Sequence, residues 1–150
     1  MIDFEEVKNF IRNTSISSKI YIGSDSLRYR SKEVWFAEYA TVVVIHYDGY
    51  RGCKIFGQLE SEIDYDQKKD KPRMRLMNEV IKTAQMYLEL EDAIEDRHAE
   101  IHLDINPNEK YGSSCVISEA VGYIKGMCNM VPLVKPRAFA ASIAADRLLA

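Results

Sequence analysis

The chain has 150 residues, of which 47% are hydrophobic and 29% are charged, and its formal net charge is −3 at pH 7. This length is typical of one domain that buries about 68–70% of its unfolded surface, and the hydrophobic content excludes disorder as the main state. The slightly acidic balance argues against a protein that coats nucleic acid by bulk electrostatics. It does not exclude a nucleic-acid enzyme with a local basic rim.

The cysteines and the apolar runs of the chain indicate in which compartment the protein works and whether it enters a membrane. Three widely spaced cysteines, Cys53, Cys115 and Cys128, predict reduced thiols in a cytosolic protein. No Cys or His pair has zinc-finger spacing. No apolar run approaches the ~20 residues of a membrane span, and no leader pattern opens the chain. We therefore expect a cytoplasmic protein that makes no membrane contact.

The first predicted elements are a short helix and a buried strand. Asp3 and Glu6 have the spacing of a capping box, so a helix is expected up to about Asn13. Apolar and β-branched residues then predict a strand over Lys19–Ser26, with Asp25 near its end. A lone carboxylate at the mouth of a buried strand is costly unless a cation meets it, and carboxylate oxygens suit Mg²⁺ and Mn²⁺.

A charged turn at Arg28–Glu33 is expected to lead into a β-hairpin. Val34–Tyr47 is rich in β-branched and aromatic residues, and Asp48-Gly49 is the strongest hairpin signal in the chain. Tyr50–Leu59 is therefore expected to pair antiparallel with the preceding strand. Acidic residues and lysines then form a connection over Glu60–Lys71.

Helices and strands alternate in the second half of the chain. Apolar residues at helical spacing predict a helix over Arg73–Ile94, and Glu79 falls on its apolar stripe. The next strand, Glu100–Ile105, again carries an aspartate near its end, Asp104. A further helix is expected over about Ser113–Lys125.

The last predicted elements are a short strand over Asn129–Val134 and an alanine-rich helix over Ala138–Ala150. Phe139 and Ile143 define the buried side of that helix, and Asp146 shares this side. The whole order predicts one mixed α/β domain over residues 1–150, with right-handed parallel crossovers to the later strands.

Four acidic residues fall at positions that favour burial: Asp25 and Asp104 at strand ends, and Glu79 and Asp146 on inward helix stripes. If the two strands are adjacent and parallel, their carboxylates meet beyond the carboxyl ends of the strands. Two like charges about 4 Å apart repel by ~4 kcal/mol at an effective dielectric near 20, so four together need cations or protonation. The set predicts a divalent-metal site, with two ions about 3.5–4 Å apart. The alternative is that each acid belongs to an ordinary ion pair with an arginine or lysine, for example Arg75, Arg137 or Lys135.

Three segments and the order of the elements resemble a known family. IGSDS at Ile22–Ser26, HLDIN at His102–Asn106 and KPRAFAASIAADR at Lys135–Arg147 are similar to the YkuK family of predicted ribonuclease H-related nucleases. The acids on the first strand, first crossover helix, fourth strand and last helix resemble the ribonuclease H-like fold. This resemblance implies a mixed five-stranded sheet flanked by helices, with the first three strands antiparallel and the last two parallel to the first.

The resemblance also implies a reaction, which is two-metal hydrolysis of phosphodiester bonds in nucleic acid with Mg²⁺ or Mn²⁺. It implies that Asp25 bridges both ions, that Glu79 and Asp104 complete one coordination shell, and that Asp146 completes the other. One ion would lower the pKa of its bound water to give hydroxide, and the other would stabilise the leaving oxygen.

Basic residues are candidates for contacts with a nucleic-acid substrate. Lys135 and Arg137 come just before the last helix and are expected to contact phosphate. The alternative is that Pro136 starts the helix and that both charges are solvated. The densest basic cluster, Lys68–Arg75, is interpreted as a solvated loop.

Other function classes lack a residue or motif that they require. A DEDD-type exonuclease and a haloacid-dehalogenase phosphatase both need a second acid two residues after the first, where this chain has Leu27. An actin-like ATPase needs two such domains, and a P-loop site needs a Gly-x-x-x-x-Gly-Lys loop. The main alternative is a non-catalytic ribonuclease H-like module that binds nucleic acid or a protein partner, which the sequence pI of about 5.7 favours.

Overall fold

The computed structural model describes residues 2–49, 52–66, 73–108, 110, 114 and 116–149. Features predicted at Tyr50, Lys68–Lys71, Ser113, Cys115 and Ala150 lie outside the described residues. The strands are β1 (Lys19–Ser31), β2 (Val34–His46), β3 (Cys53–Ile63) and β4 (His98–Leu103), and the first three helices are α1 (Phe4–Arg12), α2 (Arg73–Ile94) and α3 (Ile117–Cys128). A π-helical segment, Ala140–Ala145, continues into α4 (Asp146–Leu149), and we call these two together the C-terminal helix.

The sheet is mixed and its strand order is β3-β2-β1-β4. β1 pairs antiparallel with β2 and parallel with β4, and β2 pairs antiparallel with β3. The mixed α/β class and the antiparallel arrangement of the first three strands are therefore confirmed. No helix in the described part of the chain is long and apolar enough to cross a bilayer.

The predicted fifth strand, Asn129–Val134, does not form. The sheet of the described residues has four strands. In its place Leu133 makes an isolated parallel bridge to His102 and exchanges two 2.8 Å backbone hydrogen bonds with β4. Pro132 and Pro136 flank this short segment, and a proline has no N–H to donate to a ladder. The prolines therefore limit this edge of the sheet to a bridge.

The first hairpin is longer than predicted. β1 and β2 stay paired up to Ser31 and Val34, so the turn shrinks from six residues to Lys32 and Glu33. Both turn residues have positive φ, 50° and 67°, which is the conformation of a type I′ hairpin turn. Glycine or asparagine usually occupies such turns, so Lys-Glu gave no turn signal in the sequence.

Local signals explain where the first two helices begin. Asp3 caps α1, since its Oδ1 accepts hydrogen bonds from the backbone N–H groups of Glu5 at 3.0 Å and Glu6 at 3.3 Å. Asp66 caps α2 from eight residues upstream, where it accepts from the N–H groups of the second and third helical residues at 2.8 and 3.0 Å. The bounds of α2 agree with the prediction.

The sheet carries a core on each face. The larger core packs α1, α2 and α3 against one face and includes Ile22 and Val43. The smaller core packs small residues of the C-terminal helix, Ala140 and Ala145, against the other face. This second layer lies very close to the sheet, because a Cβ at Gly23 of β1 would be 2.7 Å from the backbone N of Ala141 and 3.0 Å from the carbonyl O of His102.

Arg97 ties the ends of two helices together. Its buried guanidinium donates hydrogen bonds to the carbonyls of Ala93 and Ile94, at the end of α2. It also donates to the carbonyls of Arg12 and Thr14, at and just after the end of α1. The last carbonyls of a helix have no partner within the helix, so this side chain supplies donors to carbonyls at both helix ends, of which those of Ala93 and Ile94 are in the buried part.

We expect Arg97→Ala to lower the free energy of unfolding by about 3 kcal/mol, because the substitution leaves buried carbonyls without their charged donor. Urea denaturation monitored by circular dichroism measures this loss. The matched control is Arg147→Ala, which removes an exposed guanidinium and should change the stability by less than about 0.5 kcal/mol. Equal effects of the two substitutions would contradict the role assigned to Arg97.

Candidate functional site

Two of the predicted acids lie at the same edge of the sheet. The parallel pairing of β1 with β4 ends at Ser24 and Leu103, and Asp25 and Asp104 are the next residues. Asp104 directly follows β4, whereas Asp25 lies in the middle of β1 and not near its end as predicted, because pairing with β2 continues the strand to Ser31. Carboxyl ends of neighbouring parallel strands form the usual ligand crevice of α/β sheets. The two strands are therefore adjacent and parallel, which is the arrangement that a shared site requires.

The third acid, Glu79, comes from α2. One carboxylate oxygen from each of Asp25, Glu79 and Asp104 can be chosen so that all three lie within 4.8 Å of one another. Asp25 and Glu79 are only 9% and 4% exposed, whereas Asp104 is partly buried. We call these three side chains the acidic cluster.

Asp146 is not part of the acidic cluster, and its predicted burial is wrong. It is exposed at the start of α4, and Phe139 and Ile143, which were predicted to define the buried side, are 39% and 51% exposed. The physical reason is the π-helical segment, in which one additional residue per turn changes which side chains face the sheet. Asp146 is nevertheless close enough for its charge to contribute to raising the pKa of Asp25.

Ser26 holds the acidic cluster in place. Its hydroxyl donates to Oε2 of Glu79 at 2.5 Å, and its backbone N–H donates to Oδ1 of Asp25 at 2.8 Å. Nη1 of Arg75 donates in turn to the Ser26 hydroxyl at 2.8 Å. Sequence reasoning gave Ser26 no role and considered Arg75 only as a possible ion-pair partner of an acid, although Arg75 is one helical turn before Glu79, at a spacing that puts the two side chains on one face.

A buried set of hydroxyls fixes α2 against the strands beneath the acidic cluster. The Thr83 hydroxyl lies 2.8 Å from the carbonyl oxygen of Glu79 and 3.0 Å from the hydroxyl of Ser24. The Ser24 hydroxyl donates to that of Thr41 on β2 at 3.0 Å. These contacts fix the position of Glu79 relative to β1, because α2 cannot slide without breaking buried hydrogen bonds.

Burial and mutual repulsion make Asp25 and Glu79 hold protons. Burial, followed by the charge of Asp104, raises the pKa of Asp25 to about 8. Burial, followed by the charge of Asp25, raises the pKa of Glu79 well above its usual value. Acids that resist ionisation are expected wherever carboxylates gather without a cation. The cluster therefore has the electrostatics of a site that takes a cation in place of protons.

Lys135 is the one predicted basic residue that reaches the acidic cluster. Its Nζ lies 2.9 Å from Oδ1 of Asp104, and although burial lowers the pKa of Lys135, its hydrogen bond and ion pair with Asp104 raise it overall. The same Oδ1 is buried, so a cation bound there would replace the Lys135 ammonium. Arg137 is exposed two residues further on. Of the three acids only Asp104 has a salt bridge within 4 Å in the described part of the chain.

The chemistry of the donors fits a hard divalent cation. Three carboxylates supply only oxygen ligands, which is the set that Mg²⁺ and Mn²⁺ prefer. The alternative interpretation is that each acid forms an ion pair with its own lysine or arginine. It holds for Asp104, which pairs with Lys135, but it does not account for Asp25 and Glu79. The role of all four acids as metal ligands stays a prediction.

We expect the stability of the protein in chelator to fall as the pH rises from about 4 to about 8. Asp25 and Glu79 ionise at low pH when unfolded but at higher pH when folded, so the folded state binds more protons in this window. Each extra bound proton lowers the free energy of unfolding by about 1.4 kcal/mol per pH unit. Urea denaturation at a series of pH values measures the slope.

The control for this pH series is Asp96→Asn, which changes an exposed carboxylate and should keep the slope of the unaltered protein. Asp25→Asn should reduce the slope, because asparagine does not titrate. A free energy of unfolding that stays level or increases between pH 4 and pH 8 would contradict the raised pKa values.

Comparison with known proteins gives a family for the chain. A family model described as ribonuclease H-like matches residues 3–149, which supports the resemblance to the YkuK family. Neither the comparison with curated proteins nor the comparison with solved structures finds a match. The family match spans nearly all of the chain and agrees with the mixed sheet described above. The chain belongs to the ribonuclease H-like family.

Proposed function

We propose that this protein is a metal-dependent nuclease that hydrolyses phosphodiester bonds of nucleic acid at the acidic cluster. The observation that carries the proposal is that acids from β1, from α2 and from the end of β4 approach within 4.8 Å although 54 and 25 residues separate them along the chain. Burying such a set is unfavourable unless a bound cation compensates the charge. Membership of the ribonuclease H-like family supports the same function.

In this proposal Asp25, Glu79 and Asp104 hold Mg²⁺ or Mn²⁺, and Asp146 extends the site toward a second ion. The bound ions would activate a water molecule for attack on phosphorus and stabilise the charge on the leaving oxygen. The carboxylates of the chain contribute by fixing the ligand oxygens before the substrate arrives, so that little reorganisation is needed during the reaction.

The neighbouring residues position these groups. Ser26 and Arg75 fix the orientation of the Glu79 carboxylate by the hydrogen bonds described above. Lys135 lies against Asp104 and would turn to a phosphate oxygen once a cation takes its place at Oδ1. Arg137, exposed at the same turn, would contact the next phosphate along the nucleic-acid strand. These contacts supply local positive charge to a chain whose net charge is −3.

Two measurements on the purified protein test the proposal. We expect Mn²⁺ or Mg²⁺ at about 100 times its dissociation constant to raise the melting temperature by about 5–10 °C over chelator, because a ligand that binds only the folded state stabilises it by about 2.7 kcal/mol. We also expect metal-dependent cleavage of at least one substrate among single-stranded, duplex and RNA–DNA hybrid forms.

The control for both measurements is Asp96→Asn, which should show the same metal shift and the same cleavage as the unaltered protein. A metal shift without cleavage of any substrate would support instead a non-catalytic module of the same fold. Absence of both effects would end the nuclease proposal.

A further inference from the structure

β3 forms one outer edge of the sheet. Every second residue of β3 directs its backbone N–H and C=O groups away from β2. The N–H of Asp64 donates to the carbonyl of Trp35 at 2.9 Å, and that of Tyr47 donates to the carbonyl of Gly52 at 3.0 Å. These two pairs belong to the same register as β2 and β3, so the even-numbered residues of β3 are the ones bonded to β2. The odd-numbered residues therefore point their N–H and C=O groups outward.

The outward residues are all exposed and none is charged. They are Cys53, Ile55, Gly57, Leu59, Ser61 and Ile63. Natural proteins usually protect such an edge with lysine, proline or a bulge, and this run has neither lysine nor proline at an outward position and pairs with β2 without a bulge. The edge therefore has the features of one that accepts another strand.

The apolar side chains along this edge are arranged symmetrically. Ile55, Leu59 and Ile63 are 48%, 46% and 42% exposed, and they follow one another at intervals of four residues on one face of the sheet. A two-fold interface requires a surface that is complementary to itself, with residue i meeting residue j and residue j meeting residue i. A two-fold axis at Leu59 satisfies this requirement, since it places each isoleucine opposite the other.

We propose that two copies of this chain associate through antiparallel pairing of their β3 strands, with the two-fold axis at Leu59, to give one continuous eight-stranded sheet. Leu59 then meets Leu59 of the second copy, and Ile55 meets Ile63. Gly57 meets Ser61, a pair that adds little side-chain bulk. All of these are outward residues, so every pair can exchange both backbone hydrogen bonds.

The charges along β3 and the apolar surface beside it favour a two-fold axis at Leu59 over an axis shifted along the strand. Lys54 comes close to the exposed Glu62 of the second copy, so unlike charges approach each other. Moving the axis by one residue to Glu60 would put two glutamates directly opposite each other and would separate the apolar pairs. Leu148 of the C-terminal helix is 39% exposed beside Gly57 and extends the apolar surface across the strand.

The oligomeric state in solution tests the proposal. Sedimentation velocity over a concentration series should show the mass rising toward twice the 17.2 kDa of one chain. Leu59→Lys should weaken the association at least about tenfold, because the two lysines would face each other across the axis. The matched control is Leu88→Lys, which places a lysine at an exposed leucine of α2 and should associate like the unaltered protein.

Cross-linking tests the register itself, in a background that carries Cys53→Ser and Cys115→Ser so that Cys128, which is buried, is the remaining native thiol. Leu59→Cys should give a disulfide-linked dimer on mild oxidation, because paired Cα atoms about 5.5 Å apart fall within disulfide range. Ser61→Cys should not, since the two Ser61 positions are offset by four residues, or about 14 Å.

Two results would overturn the proposal. One is a mass that stays at that of a single chain up to about 1 mM, together with no cross-link from Leu59→Cys. The other is a dimer whose Ser61→Cys variant cross-links as readily as Leu59→Cys, which would show a different interface or register. Circular dichroism of each variant establishes that it is folded before these comparisons are made. The proposal is independent of the nuclease function, because none of its residues belongs to the acidic cluster.

Discussion

Asp25→Asn is expected to lower metal-dependent cleavage by on the order of 10²–10³-fold, the range typical of losing one electrostatic group from an active site. Asp25 lies in the centre of the proposed chemistry, because both Asp104 and Glu79 interact with its charge. Asparagine keeps the shape of the side chain but provides one neutral oxygen in place of a shared negative charge. Initial rates in Mn²⁺, measured on whichever substrate the unaltered protein cleaves, give the size of the effect.

Stability measurements on the same variant distinguish a lost ligand from a damaged fold. In chelator at pH 8, Asp25→Asn should be at least as stable as the unaltered protein, because it removes a buried acid whose ionisation the folded state resists. In Mn²⁺ it should lose most of the metal-dependent rise in melting temperature. Full cleavage by a folded Asp25→Asn variant would mean that hydrolysis occurs elsewhere on the molecule.

Gly23→Ala is expected to reduce the free energy of unfolding by about 3 kcal/mol, or to prevent folding. The added methyl carbon would lie 2.7 Å from the backbone N of Ala141 and 3.0 Å from the carbonyl O of His102. Both atoms belong to backbone, which cannot rotate away as a flexible side chain would, so the C-terminal helix has to shift outward. A fall of about 6–12 °C in melting temperature corresponds to this loss.

Gly122→Ala is the matched control for this substitution. Nothing lies within 4 Å of a Cβ added at Gly122, which is inside α3. Alanine favours a helix interior over glycine, so this variant should be more stable by about 1 kcal/mol. If both alanine substitutions had the same effect, the close approach of the C-terminal helix to β1 would not be limiting for stability.

The parts of the fold that were predictable depend on strong local patterns. The helical stripe of α2 and the cap at Asp3 were sufficient to place two helices, and the alternation of strands and helices indicated the mixed sheet. The strand propensity of this segment predicts a fifth strand, but only a bridge at Leu133 forms. Pro132 and Pro136 prevent a longer ladder, because neither has an N–H to donate. The turn was predicted at Arg28–Glu33, and its shortening to Lys32-Glu33 was not predictable because strand pairing, and not turn-favouring residues, stabilises its positive φ angles.

The candidate site was predictable to the extent that its acids follow simple rules. Asp104 was found because it directly follows a strand, and Glu79 because it interrupts an apolar stripe. Asp25 was found because the apolar run of its strand stops there, although the strand itself continues to Ser31. Asp146 was placed on the wrong side of its helix, because the phase of a π-helical segment cannot be read from a period of 3.6 residues. Ser26 is a small residue beside an aspartate, and nothing in the sequence indicates that its hydroxyl supports a carboxylate from another element.

The burial of Glu79 beside Asp25 couples the proposed metal site to the pH of its surroundings. In the proposed function, protons and divalent cations compete for the same oxygens, so binding of metal would release protons into the surroundings. A fall in pH and a fall in divalent-cation concentration would then have the same effect, because each would return the carboxylates to their protonated form. The pH and the free magnesium concentration would thus set the occupancy of the proposed site jointly rather than separately.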